Sequence, residues 1–195
     1  NRGHVMGNKI TRIFKPKPAP SIGYGEGTNP VLKWGLIIPH TQKAPGATSW
    51  DGKYSEYVYG NLLATGLTIP HATRDNGGVA DAVSELRKAG CNASLEPHYN
   101  AYNGRAHGAE ILVLAGDEIS YMYAERMLEE FASLFPGRRI RGVKEIAKGG
   151  RGYNNLRLAR NKMDVALLSE LFFGDNREDW LPVDSQVNFW KTQIQ

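Results

Sequence analysis

The 195-residue chain has a single cysteine, Cys91. That excludes a disulfide within the chain and a zinc site built on several thiolates. The longest apolar runs are about five residues, far short of the roughly 20 that a spanning helix needs. The start of the chain has no basic, apolar and small-residue succession of an export signal. Charge of one sign does not dominate either: 24 Lys and Arg stand against 20 Asp and Glu, a formal balance of +4. Such a balance favours anionic partners (nucleic acid, acidic lipid or an anionic polymer) without choosing among them.

What is present suits one domain with a short appendage. Residues 1–30, including KITRIFKPKPAPSIGYGEGTNP, are rich in Pro and Gly and hold no sustained periodicity, so they read as an N-terminal arm or linker. The domain proper spans 31–195. VLKWGLIIP, LTIPHATR, NASLEPH, GAEILVLAG and MDVALLSEL read as strands. Between them lie helical patterns. SEYVYGNLLATG has Ser55 as a candidate N-cap and Gly66 as its stop. Val79, Ala82, Val83 and Leu86 share one helical face. The segment from Asp117 to Phe135 carries a stripe of Ile119, Met122, Tyr123, Met127, Phe131, Leu134 and Phe135. YNNLRLARN holds a short helical turn, and the tail from Arg177 forms a last helix. The alternation predicts an α/β fold, a three-layer sandwich with a mostly parallel central sheet flanked by helices.

Parallel sheets place ligands at the carboxyl ends of their strands. Three apolar runs end in a titratable residue: GLIIP in His40, NASLEP in His98 and VALLS in Glu170. Glu56 stands in the first turn of the helix after His40. Singly, each has an ordinary explanation: a strand end, a loop residue, or an acid favoured by a helix dipole. Together, at matching strand ends, they favour a metal site. Two imidazoles and a carboxylate are a catalytic zinc shell with a position left for water. Hydrolysis also needs a carboxylate outside the shell to carry the proton.

Other candidates are weaker. Glu96 lies two residues before His98, on the same strand face, where it either orients a ligand or is an ordinary polar residue. His107 lies in a Gly-rich loop before a strand and either meets substrate or, more simply, faces solvent. His71 shapes a turn, and His4 belongs to the arm.

The order of these motifs, from about Leu36 to Trp180, resembles the zinc-dependent N-acetylmuramoyl-L-alanine amidases of the Amidase_3 type, especially endolysin catalytic domains. LIIPHTQKAPGA matches the family's first histidine motif, with Pro39 where glycine is usual and without the Gly-Gly that usually follows. Glu56 in DGKYSEYVYGN matches the helix-entering glutamate, and LTIPHATRDNGG the strand that ends in arginine-aspartate. The stretch around EPHYNAYNGRAHGAEIL matches the second histidine motif, with Asn100 as its asparagine, and VALLSELFFGDNREDW the final glutamate motif. The resemblance implies cleavage of the amide between N-acetylmuramic acid and L-alanine of peptidoglycan. One Zn²⁺ would be held by His40, Glu56 and His98. Glu170 would carry the proton from the attacking water to the departing amine, and Asn100 would lie at the substrate.

Residues 137–162 carry nine Lys or Arg and one acid, Glu145. They line a substrate groove, attract anionic wall polymers, or form a solvated face. Tyr153 is the only aromatic among them, which argues against nucleic acid. Two other functions stay open. A metallocarboxypeptidase-like zinc peptidase would have a compact His-x-x-Glu pair, whereas His40 and Glu56 are 16 residues apart. A wall- or polyanion-binding module without catalysis would be indifferent to Glu170→Ala. Action at the cell wall or periplasm is expected. Without a signal in this sequence, the chain would be a phage lysis protein released by a holin or a domain of a longer secreted protein.

Overall fold

The structure, a computed structural model, describes residues 31–195. The expected arm over 1–30, and His4 within it, lie outside the described residues. The strands are β1 (Trp34–Ile37), β2 (His71–Ala72), β3 (Ala93–Asn100), β4 (Ala109–Leu114), β5 (Ile140–Ile146) and β6 (Val165–Phe173). The helices are α1 (Glu56–Gly66), α2 (Gly78–Lys88), α3 (Glu118–Leu134), α4 (Tyr153–Arg160) and α5 (Val183–Ile194). One sheet runs β2-β1-β3-β6-β4-β5. All neighbours are parallel except β4 and β6, which are antiparallel. This is the α/β sandwich with a mostly parallel sheet that the sequence predicts.

Helices cover both faces. On one, Val79, Ala82, Val83 and Leu86 of α2 pack with Ile37, Ala72, Ala159, Met163 and Ala166. On the other, α1, α3 and α5 bring Tyr59, Leu63, Phe131, Phe189 and Trp190 onto Leu95, Leu167 and Leu171. Each fully buried Leu or Phe is worth about 1.5–3 kcal/mol of hydrophobic transfer. Local caps fix where helices start: Ser55 accepts from the Val58 amide at 3.2 Å and Asp117 from the Ser120 amide at 3.2 Å.

Three expectations shift in detail. The run around His71 yields only two strand residues at the sheet edge. The buried face of α3 is Ser120, Ala124, Met127, Leu128 and Phe131, while Leu134 is exposed. Ser120 turns inward because its hydroxyl accepts the Ala166 amide at 3.0 Å. The basic segment contains β5, whose charges hide it from an apolar pattern because it is an edge strand paired only with β4.

Every position of β3 and β6 is buried, polar ones included. Pro97 is tolerated in β3 because it lies beyond Leu95, the last residue paired with β1. Burying Glu96, His98, Asn100 and Glu170 in central strands is costly unless each finds a partner. Those partners define the site.

Candidate metal centre

His98 and Glu170 do not terminate their strands as the apolar runs suggest. They sit within β3 and β6 and are register partners. His40 follows β1 in a loop, and Glu56 is the first residue of α1. His40 takes φ +61°, alone among the described non-glycine residues in having positive φ. A left-handed histidine costs on the order of 1 kcal/mol. It is held there by contacts: Nε2 lies 2.9 Å from Glu56 Oε2, while the Gln42 amide donates to Asp75 at 2.7 Å. Asp75 also accepts from the Tyr57 hydroxyl at 3.0 Å, tying the loop to α1.

Glu56 gathers both histidines. Its Oε1 lies 2.8 Å from His98 Nδ1, and its Oε2 also accepts the Ala47 amide at 2.9 Å. The two imidazole centroids are 5.0 Å apart. One ligand atom from each of His40, Glu56 and His98 falls within 4.8 Å of the others, a group able to hold a metal ion. Burial pushes the Glu56 carboxyl up, but hydrogen bonds from His40 and His98 outweigh it and hold it at about 2. Burial pushes His98 down, and its bonds to Glu56 and Glu96 outweigh that and raise it to about 10. In the metal-free protein a proton thus does the work of a cation between carboxylates.

His98 Nε2 lies 3.1 Å from Glu96 Oε1. Glu96 is buried and fully partnered, by Arg74 at 2.9 Å and by Asn155 at 3.0 and 3.2 Å. A carboxylate on the far nitrogen of a ligating imidazole fixes the tautomer that a metal needs. Gly46 completes the cradle. At φ +83°, a Cβ there would lie 2.5 Å from His40 Cδ2 and 2.6 Å from Glu56 Oε2. The donor set, the carboxylate behind His98 and the space kept by Gly46 fit a zinc ion. His40 keeps 32% of its side chain exposed, so the cluster is open to solvent.

One strand over stands a second cluster. Glu170 Oε2 accepts from Asn100 Nδ2 at 3.2 Å and from Arg151 Nη2 at 2.5 Å. Glu110 of β4 is the directly opposed partner of Glu170, and accepts from Asn100 at 2.9 Å and Arg141 at 2.8 Å. Burial raises the Glu170 carboxyl, Arg151 and His98 oppose, Glu110 adds to the rise, and the result is about 7. A buried carboxyl poised near neutrality suits proton transfer.

Of the candidates read from the sequence, His40, Glu56, His98 and Glu96 meet in one cluster, and Asn100 meets Glu170 in the other. His107 does not join them: it is exposed, with Nδ1 3.4 Å from the Arg105 carbonyl. His71 is likewise exposed, 3.5 Å from the Ile69 carbonyl. The sequence points to Arg74 only through the arginine-aspartate motif, and to Arg141, Arg151 and Asn155 only as part of the basic segment; Glu110 and Gly46 go unmarked as site residues. Glu110 carried a usable signal, a lone acid inside the apolar run GAEILVLAG.

No protein-family model matches the chain, and no curated protein does. Solved structures do. Cwp6 from Clostridium difficile is 24% identical over 84% of this chain at a TM-score of 0.61, and the chain spans 28% of its length. The catalytic domain of CwlV, an N-acetylmuramoyl-L-alanine amidase from Bacillus (Paenibacillus) polymyxa var. colistinus, is 18% identical over 84% of this chain and 94% of its own, with a TM-score of 0.62. The catalytic domain of the CD27L endolysin targeting C. difficile is 20% identical over 84% and 96%, also at 0.62. The chain has the fold of N-acetylmuramoyl-L-alanine amidase catalytic domains.

Proposed function

We propose that the protein is a zinc-dependent hydrolase of peptidoglycan that cuts the amide between N-acetylmuramic acid and L-alanine. The observation that carries this reading is the register pairing of His98 with Glu170, which sets a two-histidine, one-glutamate donor group beside a buried carboxyl near neutral pKa. The fold shared with amidase catalytic domains supports the substrate class.

His40 Nε2, Glu56 and His98 Nδ1 would hold one Zn²⁺. When bound, zinc supplies Lewis acidity for a carbonyl and lowers the pKa of water toward neutrality. The remaining work belongs to the chain. Glu96 holds the proton on His98 Nε2, leaving Nδ1 free for the metal. Glu170 accepts a proton from the attacking water and delivers it to the departing nitrogen, whose bond to the lactyl carbonyl breaks. Asn100 holds Glu170 in place through Nδ2.

The peptidase alternative loses ground, because the donors come from a loop, a helix start and a strand rather than from one His-x-x-Glu turn. A binding module without catalysis gives no reason to bury Glu170. The substrate is the wall polymer, so action at the wall follows, and anionic wall polymers are candidate secondary partners of the basic segment.

The test combines metal analysis with digestion of purified cell walls. New L-alanine amino termini without new reducing sugars are expected, and new reducing ends would sink the reading. Glu170→Ala should keep its zinc and lose about 10²–10⁴-fold in activity, the usual worth of a positioned proton carrier.

A further inference from the structure

An open groove of about 420 Å³ is lined by Glu110, Leu112, Arg141, Val143, Lys144, Glu145, Ile146 and Arg151, the last of which reaches Glu170. It follows the edge strand β5, so one wall belongs to the basic segment. Its cations are not equivalent. Arg141 is committed: Nε donates to Glu110 at 2.8 Å and the guanidinium lies 5.2 Å above the Phe173 ring. Lys144 donates to the Arg141 carbonyl at 2.8 Å.

Arg151 differs. Its side chain is 62% exposed, yet its head rests on carboxylates that are only 4% exposed. Nη2 lies 2.5 Å from Glu170 Oε2 and 3.7 Å from Glu110 Oε1. Nη1 also donates to Asn100 Oδ1 at 3.5 Å. Gly152, next in the chain, has φ +81°, and a Cβ there would come within 3.2 Å of Leu168 Cδ1, so the turn passes close to the sheet. The Arg151 side chain is long and mostly exposed, so its head can turn to another anionic partner.

This placement conflicts with the chemistry proposed for Glu170. A guanidinium on Oε2 occupies one of the two carboxyl oxygens and makes the carboxylate a weaker base. An incoming carboxylate resolves the conflict, because arginine pairs with carboxylates in a bidentate, charge-assisted fork.

We propose that Arg151 is the receptor for a substrate carboxylate on the peptide side of the scissile amide, leaving Glu170 for that carboxylate when substrate binds. This rests on the amidase reading above. A carboxyl on the peptide side of such an amide is either free or amidated. The free form is the ligand that Arg151 fits. Arg151 binds and orients this group, and its departure frees Glu170.

The experiment compares two muramoyl-peptides that differ only in this group, carboxylate against carboxamide, cut by the zinc-loaded wild type, Arg151→Met and Arg151→Lys. The wild type should favour the carboxylate by about tenfold or more in kcat/KM, as expected when a charge-assisted pair is lost. Arg151→Met should cut both substrates at similar rates, and Arg151→Lys should keep part of the preference. Equal zinc content in all three is expected, since Arg151 touches none of His40, Glu56 and His98. A wild type that does not discriminate, or a preference that survives in Arg151→Met, overturns the assignment while leaving the amidase reading standing. A wild type that cuts neither substrate overturns that reading and this assignment with it.

Discussion

Glu110 and Glu170 face each other as a directly opposed pair across the antiparallel strands β4 and β6, and both are buried. Two carboxylates in that position resist ionising together. Burial, then Arg151 and His98 in opposition, then Glu110, set the Glu170 carboxyl at about 7. Glu110→Gln removes a neighbour that raises Glu170, so its titration should move to lower pH. Arg151→Met removes a neighbour that lowers it, so its titration should move to higher pH. Carbon NMR of labelled glutamate carboxyls in chelator-treated protein reads both. Shifts in the same direction in the two variants would contradict the pairing.

The same groups set how stability depends on pH in the metal-free protein. Glu56 is lowered from 4.5 to about 2, so its contribution is present above 4.5 and lost as pH falls through about 2. His98 is raised from 6.5 to about 10, so its contribution is full below 6.5 and lost as pH rises through about 10. Glu170, raised from 4.5 to about 7, binds a proton more tightly when folded and weakens stability as pH climbs through that window. Because Glu170 already weakens stability above 4.5, where the Glu56 contribution is nearly complete, these three together place the optimum near 4.5. Zinc replaces the proton on His98 Nδ1, so its stabilising effect should grow with pH. Thermal unfolding with zinc and with chelator, at about pH 5.5 and about pH 8, checks both. A zinc-induced rise in Tm that is larger at the acidic pH would refute the ligand assignment.

Much of this arrangement is legible in the sequence, for a physical reason. Parallel strands buried on both faces read as apolar runs, so His98 and Glu170 stood out as titratable residues within them. Glu56 was visible because a helix start has its own signature, Ser55 followed by an acid. Glu110 was harder. It interrupts an apolar run as Glu170 does, but strict alternation implied a parallel β4, and an antiparallel one brings Glu110 directly opposite Glu170. The edge strand β5 was hidden by its own charges, and with it the reach of Arg141 to Glu110. Arg151 could not be placed from sequence at all, because its contacts depend on where the turn between β5 and α4 folds back. The reading of His107 as a substrate contact rested on a glycine-rich loop alone, and its ring lies exposed against the Arg105 carbonyl.

Gly46 offers a test of the cradle with its own control. Gly46→Ala puts a Cβ 2.5 Å from His40 Cδ2 and 2.7 Å from its Nε2, at φ +83°. Gly52→Ala meets nothing within 4 Å, at φ +73°. Both should lose about 1 kcal/mol of stability from the left-handed backbone. Only Gly46→Ala should lose zinc affinity, by about ten- to hundredfold. Chelator competition on the two variants separates collision at the ligands from backbone strain. Equal losses of affinity in both would remove Gly46 from the site.

Glu96 tests whether the tautomer of His98 is held from behind. Its Oε1 takes His98 Nε2 at 3.1 Å while Arg74 and Asn155 fix the carboxylate. Glu96→Gln keeps the volume but substitutes a neutral amide, which can turn its own N–H toward Nε2. The imidazole then has less reason to keep its proton on Nε2 and its lone pair on Nδ1. Zinc affinity should fall about ten- to hundredfold, the usual cost of losing such an outer partner. The half-buried Arg74 also loses its charged partner, so stability should fall by less than the about 3–5 kcal/mol of a fully buried pair. The two effects are separable: Arg74→Met in the Glu96→Gln background should recover stability without recovering zinc. Nitrogen NMR of the His98 ring in zinc-loaded protein supplies the direct readout. A ring that stays protonated on Nε2 and metal-bound through Nδ1, with unchanged affinity in Glu96→Gln, would show that Glu96 does not direct the ligand.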